Sequence, residues 1–461
     1  MNRRYFLARL AAAGVATSLR GYGQTAAKAA LGIDTSRLGP TIPNDFTGLS
    51  YESAQLANPE FFSAGNKQLI ELFRGLSPSG NLRLGGGSSE FTTYSDADPA
   101  GPPPFEVFGP DTSKTEKHGT VTTALALRNL RAFLDATGWS CLYGLNLGQG
   151  TKENATAEAA AAFRILGSRL VAFQIGNEPD SFRNRYRPAS YGPEDYLKEW
   201  ITFHDAIVAV TPEAKFAGPD ISNKLPYLTA FAKQAPVHKD VVLLTAHYYA
   251  MGPAGSPDAT LAQLFDPDPK LATIHAHNLP VIAEAIKTAK LPFRMSEGNS
   301  CWDGGKPGVS NTLASALWCA DMMLRFAALG WSGVNLHGGG NGFYTPIAGA
   351  PSTGFTRRPE YFGIQFAQSF AGAQVAESSL PPALDGIKTY TLVQAGRRRI
   401  AVINQSEGHA RLTLPGRVNG RAMKLSGPTL ESTDGVEFGE VHIPRSREVL
   451  IAAHTGMIYE I

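Results

Sequence analysis

Through the middle of the chain, apolar positions follow two alternating patterns, one typical of strands and one typical of helices. Short apolar runs predict buried strands at residues 46–53, 81–86, 140–148, 170–178, 216–220, 242–249, 293–300 and 331–338. Between them lie segments with apolar positions at helical spacing, for example 122–137, 154–166, 193–210 and 312–329. With a last helix at 361–372 these segments form eight strand–helix units, the number that closes a (β/α)8 barrel.

The pattern changes after residue 375, where short β-rich runs are separated by Gly, Pro and Asp. The predicted strands are 387–393, 399–404, 410–414, 422–426, 436–442 and 448–453, a spacing typical of an antiparallel β-sandwich. The predicted fold class is therefore α/β, a TIM barrel with an additional C-terminal antiparallel β-sandwich domain. We expect an export signal at 1–30, an N-terminal strand that joins the sandwich at 31–45, the barrel at 46–374 and the sandwich at 375–461.

The distribution of charge argues against nucleic acid and anionic membranes as partners. The 461 residues have a formal charge of +2, but residues 1–30 contain five basic residues and no acid, so the remainder carries −3. A mildly acidic chain has no general attraction for either surface, so we expect no nucleic-acid partner.

The N-terminus resembles a twin-arginine export signal. Arg3 and Arg4 precede Phe6, Leu7 and a weakly apolar stretch that ends in small residues. An amphipathic first helix is the alternative. No other stretch approaches the roughly 20 apolar residues of a membrane span, so we expect a periplasmic or extracellular protein.

The three cysteines predict neither a disulfide framework nor a metal site. Cys141, Cys301 and Cys319 are odd in number and lack the spacing of metal ligands. Cys301 lies four residues after Glu297, but no histidine stands at a diagnostic spacing to activate it. A buried thiol is therefore favoured over a nucleophile. We expect no metal and no cofactor.

Two glutamates stand at the ends of predicted strands, and they carry the functional argument. Glu178 lies in Gly-Asn-Glu-Pro at the end of strand 4, and Glu297 lies in Ser-Glu-Gly-Asn at the end of strand 7. The carboxyl ends of barrel strands meet at one mouth, where barrel enzymes present their active-site residues. Two carboxylates in one cleft are the minimum for cleaving a glycosidic bond, since one protonates the leaving oxygen and the other attacks the anomeric carbon. A single glutamate would be read more simply as a solvent-facing strand end, but the pair favours catalysis.

Residues beside the two glutamates suit the same chemistry. The amide of Asn177 can bind the 2-hydroxyl of a sugar, a contact that strengthens as the transition state forms. A tyrosine hydroxyl would help to hold Glu297 ionised, and strand 6 ends in His-Tyr-Tyr at 247–249. We assign Tyr248 to the substrate site and His247 to structural support. Glu178 must keep its proton near neutral pH, which burial and a second carboxylate favour.

Longer motifs resemble the clan of barrel glycosidases with catalytic glutamates on strands 4 and 7, and within it glycoside hydrolase family 79. That family includes bacterial β-glucuronidases and animal heparanases. The motifs are Phe46-Thr-Gly-Leu-Ser-Tyr-Glu52, Arg74-Gly-Leu-Ser-Pro78, Leu82-Arg-Leu-Gly-Gly86, Gly176-Asn-Glu-Pro179, His247-Tyr-Tyr249, Ser296-Glu297 and Gly342-Phe-Tyr344. The resemblance extends over most of the chain after the export signal.

The resemblance implies a role for each site residue. Glu178 is the acid/base and Glu297 the nucleophile of a reaction that retains configuration. Asn177 contacts the 2-hydroxyl, and Glu52 binds a hydroxyl farther round the ring. The glucuronate carboxylate is held by backbone amides and a tyrosine hydroxyl, for which Tyr344, Gly342 and Gly304 stand in the matching places. Trp302, near Gly304, is assigned to the same substrate site.

Some positions depart from the heparanase pattern. Trp302 and Asp303 stand where heparanase-like members have Tyr and Gly, and Ala246 and Gly87 replace a histidine and a threonine of the animal enzymes. These changes point away from heparanase itself.

The expected function is that of a retaining exo-β-glucuronidase, which removes terminal β-linked glucuronic acid by double displacement. The exo assignment rests on residues 96–117, a proline-rich segment after strand 2 that would form a wall beside the cleft. Alternatives are an endo-acting, heparanase-like glucuronidase and a related retaining glycosidase that acts on neutral sugars. A non-catalytic carbohydrate-binding protein is the alternative from a different class.

Overall fold

The computed structural model describes residues 27–97, 119–266, 278–339, 342–381, 384 and 386–461. The paired arginines of the expected export signal and nearly all of the 96–117 segment lie outside the described residues. No helix of the described ranges is long and apolar enough to cross a lipid bilayer.

Within those ranges the strands are numbered in chain order. They are β1 (Ala27–Ala30), β2 (Gly32–Thr41), β3 (Thr47–Glu52), β4 (Asn81–Gly85), β5 (Thr92–Ser95), β6 (Thr120–Thr123), β7 (Ser140–Leu145), β8 (Leu170–Ile175), β9 (Phe216–Ile221), β10 (Val241–Pro253), β11 (Phe293–Trp302), β12 (Gly333–His337), β13 (Ile347–Ala350), β14 (Gly354–Arg357), β15 (Gln374–Ser379), β16 (Ile387–Gln394), β17 (Arg397–Asn404), β18 (Ala410–Thr413), β19 (Arg421–Ser426), β20 (Glu437–His442), β21 (Glu448–Ile451) and β22 (Thr455–Glu460). The helices are α1 (Lys67–Leu76), α2 (Ala124–Thr137), α3 (Lys152–Leu166), α4 (Pro193–Val210), α5 (Leu225–Gln234), α6 (Leu261–Phe265), α7 (Leu279–Ala289), α8 (Leu313–Ala328) and α9 (Pro359–Gln368).

Eight strands form a closed parallel barrel in chain order, and helices follow them along the chain. The barrel order is β3, β4, β7, β8, β9, β10, β11 and β12, with β12 pairing back to β3. These strands are buried at nearly every position, as expected when helices cover the outside of a parallel barrel and side chains fill its inside. All eight predicted strands are present, and the predicted barrel is confirmed.

The start of α2 shows how local chemistry sets an element boundary. The side chain of Thr123 caps the helix by accepting the N–H of Ala126 at 3.3 Å, and Gly138 ends it in a left-handed conformation. The pattern predicted this helix from residue 122. Residues 120–123 instead form β6, a run of β-branched side chains that pairs with β5.

The C-terminal part is a β-sandwich whose larger sheet is covered on both faces. The seven-stranded antiparallel sheet has the order β2, β15, β16, β17, β22, β19 and β20, and the smaller sheet has the order β1, β18 and β21. In β17, Ile400 and Val402 pack towards the smaller sheet, whereas Ala401 and Ile403 belong to the same apolar cluster as the barrel helices. The two domains therefore share a continuous core, and the predicted sandwich is confirmed.

The N-terminal strands begin earlier than the sequence pattern indicated. Ala27–Ala30 pairs in parallel with Ala410–Thr413, and Lys28 forms an ion pair of 2.8 Å with Glu448. Residues 27–30, assigned above to the export signal, are therefore part of the sandwich. Gly32–Thr41 lies at the edge of the larger sheet beside Gln374–Ser379.

Candidate active site

The two glutamates meet at the mouth of the barrel. Glu178 follows β8 in a left-handed conformation, with φ 50° and ψ 53°, and Glu297 lies within β11. One carboxyl oxygen of each and one ring nitrogen of His247 lie within 4.8 Å of one another. The left-handed conformation is uncommon for a residue with a side chain, and such strain is typical of functional sites.

Glu297 is surrounded by donors that keep it ionised. Arg83 donates to one carboxyl oxygen at 2.6 Å, and the hydroxyl of Tyr249 donates to the other at 2.8 Å. Burial on its own would raise the pKa of Glu297. The charges of His337, His247 and Arg83 and the Tyr249 hydrogen bond outweigh burial and lower that pKa to about 2. Glu297 is therefore an anion at neutral pH.

Glu178 has the opposite tendency. Burial raises its pKa, the negative charge of Glu297 adds to that rise, and the bond to His247 opposes it. Nδ1 of His247 lies 2.9 Å from Glu178, whose side chain is 29% exposed and thus reaches the solvent at the mouth. Two carboxyl groups in one cleft whose pKa values are pushed apart are the arrangement expected of an acid and a nucleophile.

Arg83 links the parts of the site, and the sequence analysis did not assign it a role. Its fully buried guanidinium donates to Glu297, to Oδ1 of Asn177 at 2.7 Å and to Oδ2 of Asp220 at 2.5 Å. The position of Arg83 in a strand predicted to be buried could have indicated its role, because a buried arginine needs charged partners.

Asp220 is a second residue that the sequence analysis missed. It lies one residue before the end of β9 with φ 60°, accepts hydrogen bonds from Ser296 and Gln174, and lies 3.2 Å from Nε2 of His247. Burial would raise the pKa of Asp220, but the charge of Arg83 holds it well below its ordinary value. Burial would lower the pKa of His247, but the charges of Glu297 and Asp220 raise it. His247 therefore lies between Asp220 and Glu178 and contacts the proposed acid directly. Its role is thus larger than the structural support that the sequence predicted.

His337 completes the polar lining on β12. Its Nδ1 lies 3.0 Å from the hydroxyl of Ser50 and 3.8 Å from Glu297, and its Nε2 lies 3.6 Å from Glu52. Burial would lower the pKa of His337, but the charge of Glu297 and the contact with Glu52 raise it. Sequence reasoning missed this residue because a histidine in a buried strand is more often structural.

Tyr248 corrects the prediction for strand 6. Its ring lies between the barrel and α8, with the Phe326 ring 5.3 Å away and the Trp318 ring 6.5 Å away. Alternate side chains of a strand face opposite sides, so His247 and Tyr249 point into the barrel and Tyr248 points out. The tyrosine that donates to Glu297 is Tyr249, and Tyr248 does not belong to the substrate site.

The other predicted sugar-binding residues lie around the same mouth. Glu52 ends β3 and accepts the N–H of Ser88 at 2.8 Å and its hydroxyl at 2.5 Å. Tyr344 is buried beside His337, with ring centroids 5.9 Å apart. Burial raises the pKa of the Tyr344 hydroxyl, and the charges of Glu297 and Glu52 raise it further.

Two loops approach each other next to Tyr344. The carbonyl of Gly304 accepts the N–H of Phe343 at 2.5 Å and that of Tyr344 at 3.4 Å, and a Cβ on Gly342 would lie 3.3 Å from the same carbonyl oxygen. Gly304 has φ 81°, a conformation that favours glycine. Trp302 ends β11 with 43% of its surface exposed, so it is available for contact at the rim.

Carboxylate and imidazole groups with the spacing of metal ligands come together in two places in the described ranges. One is the cluster of Glu178, His247 and Glu297, and the other is formed by His204, His238 and Asp240. In the second, the ring nitrogens of His204 lie 2.9 Å from Asp205 and 2.9 Å from Asp240. In both clusters, at least one imidazole nitrogen and one carboxylate oxygen are therefore already within hydrogen-bond distance of each other.

Comparison with known proteins gives the site a context. No family model matches the chain. The chain is 26% identical to a β-glucuronidase of Neurospora crassa over 71% of its own length and 62% of the relative, and 26% identical to a β-glucuronidase of Aspergillus niger over 70% and 65%. It is 24% identical to bovine heparanase over 62% of its own length and 59% of the relative. The chain thus spans less than two thirds of the length of these relatives.

Solved structures share the whole fold. A 4-O-α-L-rhamnosyl-β-D-glucuronidase of Fusarium oxysporum has a TM-score of 0.71 at 17% identity, over 94% of this chain and 100% of that one. A family 51 arabinofuranosidase of Xanthomonas axonopodis pv. citri has a TM-score of 0.66 at 15% identity, over 94% and 99%. Both support the barrel with its sandwich domain. The β-glucuronidases and the heparanase among the relatives confirm the resemblance of this chain to glycoside hydrolase family 79.

Proposed function

We propose that this protein is a retaining β-glucuronidase. The observation that carries the proposal is the position of Glu178 and Glu297, with carboxyl oxygens within 4.8 Å and pKa values shifted in opposite directions. Retaining glycosidases hold their carboxyl groups about 5–5.5 Å apart, whereas inverting enzymes need roughly 6.5–9.5 Å to admit a water molecule. The pair supports direct attack by one carboxylate.

In the first step, an oxygen of Glu297 attacks the anomeric carbon and Glu178 transfers its proton to the departing oxygen. Arg83 and Tyr249 hold the attacking carboxylate in place as an anion. The amide of Asn177 faces the 2-hydroxyl, and its own carbonyl oxygen is fixed by Arg83. The bond to the leaving group breaks while a glycosyl ester forms on Glu297.

In the second step Glu178 acts as a base, and the loss of charge on Glu297 lowers the pKa of Glu178 for this role. Once Glu297 is esterified it has no charge, so its share of the rise in the pKa of Glu178, which adds to the rise from burial, disappears. His247 continues to favour the Glu178 anion. Glu178 can then take a proton from water, whose oxygen attacks the anomeric carbon and releases Glu297.

The substrate class rests on the relatives and on the shape of the mouth. Two curated relatives are β-glucuronidases and a third is a heparanase. Tyr344 and the loops that carry Gly304 and Gly342 form one side of the site, where a hydroxyl and backbone N–H groups could hold a sugar carboxylate. Glu52 lies 3.6 Å from Nε2 of His337 and can accept a sugar hydroxyl.

Aryl β-glycosides test this proposal directly. A chromogenic β-glucuronide should be hydrolysed at least a hundredfold faster, in kcat/KM, than the matching β-glucoside and β-xyloside, which lack the carboxylate. The first sugar seen by NMR should be the β-anomer. Faster cleavage of a neutral glycoside would replace the substrate assignment, and binding without cleavage would favour a carbohydrate-binding protein.

Exo action is a finer part of the proposal. Its support is the sequence of residues 96–117, whose prolines suit a fixed wall after the second barrel strand. A glucuronic-acid-containing polymer should release monosaccharide while its average size falls slowly. Shortening residues 99–114 should increase cleavage of internal linkages relative to terminal ones. A rapid fall in polymer size with the intact protein would favour endo, heparanase-like action.

A further inference from the structure

A buried carboxyl group that the proposed reaction does not use lies beside the active site. Glu90 is 1% exposed and lies in a short turn of 3₁₀ helix, Gly87–Phe91, after the second barrel strand. One of its carboxyl oxygens accepts the backbone N–H of Asn177, and the other accepts those of Leu147, at 3.1 Å, and of Gly148. Glu90 therefore joins the loops that follow the second, third and fourth barrel strands.

The surroundings of Glu90 are shaped to this carboxyl group. A Cβ on Gly148 would lie 2.8 Å from a Glu90 oxygen, too close for any other residue without a shift. The side chain forms no salt bridge to another described residue, so its partners are the three N–H donors and the Ser89 hydroxyl at 3.4 Å. Burial raises the pKa of Glu90 to about 7. A carboxyl group that is costly to bury and serves only as an acceptor is more typical of a positioning role than of a stabilising one.

The same turn also supports the opposite side of the cleft. Ser88 donates its N–H and its hydroxyl to Glu52, two residues before Glu90 contacts the Asn177 backbone. The next residue after Asn177 has a separate support, because the N–H of Glu178 donates to the carbonyl of Asp220 at 2.9 Å. The left-handed turn that presents Glu178 is thus fixed by Glu90 at Asn177 and by Asp220 at Glu178.

We propose that Glu90 is a positioning residue, which sets the place of Asn177 by accepting its backbone N–H, while the Asp220 carbonyl holds the following Glu178. The proposal rests on the proposed glycosidase activity, because its effect is expressed through the contact between Asn177 and the sugar 2-hydroxyl. Glu90 does not touch the reacting atoms, and its removal should change the geometry of the transition-state contacts more than substrate affinity.

Glu90→Gln tests the proposal with little change of shape. The amide keeps one acceptor oxygen but places an NH2 group against N–H donors of the protein. One N–H therefore loses its partner. We expect kcat/KM for an aryl β-glucuronide to fall about ten- to hundredfold, the cost of one unsatisfied buried donor beside the reacting groups, mostly through kcat.

Glu158→Gln is the matched control. Glu158 lies on α3 and is also buried, and burial also raises its pKa to about 7. Its carboxyl group accepts a hydrogen bond of 2.8 Å from the Tyr143 hydroxyl. It forms no hydrogen bond or ion pair with any of the site residues that the structure describes, so this variant should keep kcat/KM within about twofold.

A 2-deoxy-glucuronide substrate distinguishes displacement of Asn177 from a general loss of active-site structure. This substrate lacks the hydroxyl that Asn177 is proposed to contact, so the loss caused by Glu90→Gln should shrink to less than about threefold. Equal losses on both substrates, or an equal loss in Glu158→Gln, would overturn the proposal. If Glu90→Gln does not fold, Glu90→Asp, which keeps the charge one methylene farther away, takes its place in the same comparison.

A structural readout distinguishes failure of this proposal from failure of the proposed function. Crystal structures of the Glu90 and Glu158 variants should show Asn177 displaced by more than about 0.5 Å only in the former, a shift that is significant for an active site. If the wild-type protein cleaves no glucuronide, the displacement still decides the positioning role. An unmoved Asn177 contradicts that role whatever the activity is.

Discussion

The hydrogen bond from Tyr249 to Glu297 makes the acid limb of the pH–rate profile sensitive to a single hydroxyl. Tyr249→Phe removes a donor at 2.8 Å from a buried carboxylate and leaves the ring in place. A hydrogen bond to a charged group contributes about 1.5–3 kcal/mol, and one pKa unit corresponds to about 1.4 kcal/mol. The pKa of Glu297, lowered to about 2 in the wild type, should therefore rise by roughly one to two units.

The sign of the effect follows from the role of Glu297 as an anion. A higher pKa means that the carboxylate is protonated, and thus inactive, at a higher pH. The acid limb of kcat/KM, which reports the free enzyme, should move upward by that same amount. Initial rates on an aryl β-glucuronide from about pH 2, where the wild-type limb lies, to about pH 8 measure the shift. The carboxyl group of the substrate titrates in the same range, but it is common to both proteins and cancels in their difference.

The neighbouring residue provides the control for this prediction. Tyr248→Phe makes the same change one position away, on the outside of the barrel against α8. It should leave the acid limb in place and alter only thermal stability. An unmoved limb in Tyr249→Phe, or an equal shift in Tyr248→Phe, would refute the assignment of Tyr249 as the donor that keeps Glu297 ionised.

Further predictions address the two glutamates and the buried charges. Glu297→Gln should abolish turnover because an amide cannot form the glycosyl ester, whereas Glu178→Gln should spare the first step for substrates with good leaving groups. Azide should rescue Glu178→Ala and yield a β-glycosyl azide. Equal losses at both positions without rescue would contradict the roles. Arg83→Met should lower the free energy of unfolding by about 3–5 kcal/mol, because it leaves buried carboxylates unpaired, as measured by urea denaturation. Burial raises the pKa of Glu158 from 4.5 to about 7, so the unfolded chain releases this proton at a lower pH than the folded protein, and the free energy of unfolding falls between pH 4.5 and 7. Glu158→Gln should reduce that fall by about 3 kcal/mol. An unchanged dependence of unfolding on pH would show that Glu158 is not buried as described.

The fold was predictable because its signals are local and repeated. The barrel strands are short runs rich in apolar residues, and the helices between them carry apolar positions at their own spacing. The predicted start of α2 was wrong because the β-branched residues that precede the helix, Thr120–Thr123, form a strand. Strand β22 was not predicted, since Gly456 interrupts its pattern in order to let Phe366 approach closely.

Only part of the site could be inferred from the sequence. The two glutamates were found because strand ends of a barrel meet at one mouth. Tyr248 and Tyr249 could not be told apart, because both faces of a parallel barrel strand are buried and equally apolar. Glu90 lies among Gly and Ser in a segment that reads as an exposed loop, and its burial depends on contacts with residues more than fifty positions away.

The central claim is that Glu297 forms a covalent bond to the sugar, and trapping that bond tests it most directly. A 2-deoxy-2-fluoro-β-glucuronosyl fluoride should inactivate the enzyme, since the fluorine slows release of the glycosyl ester. Mass spectrometry of the intact protein and of its peptides should then find one glucuronosyl group, attached to Glu297. A label on Glu178, or no label together with an α-configured first product, would contradict the account.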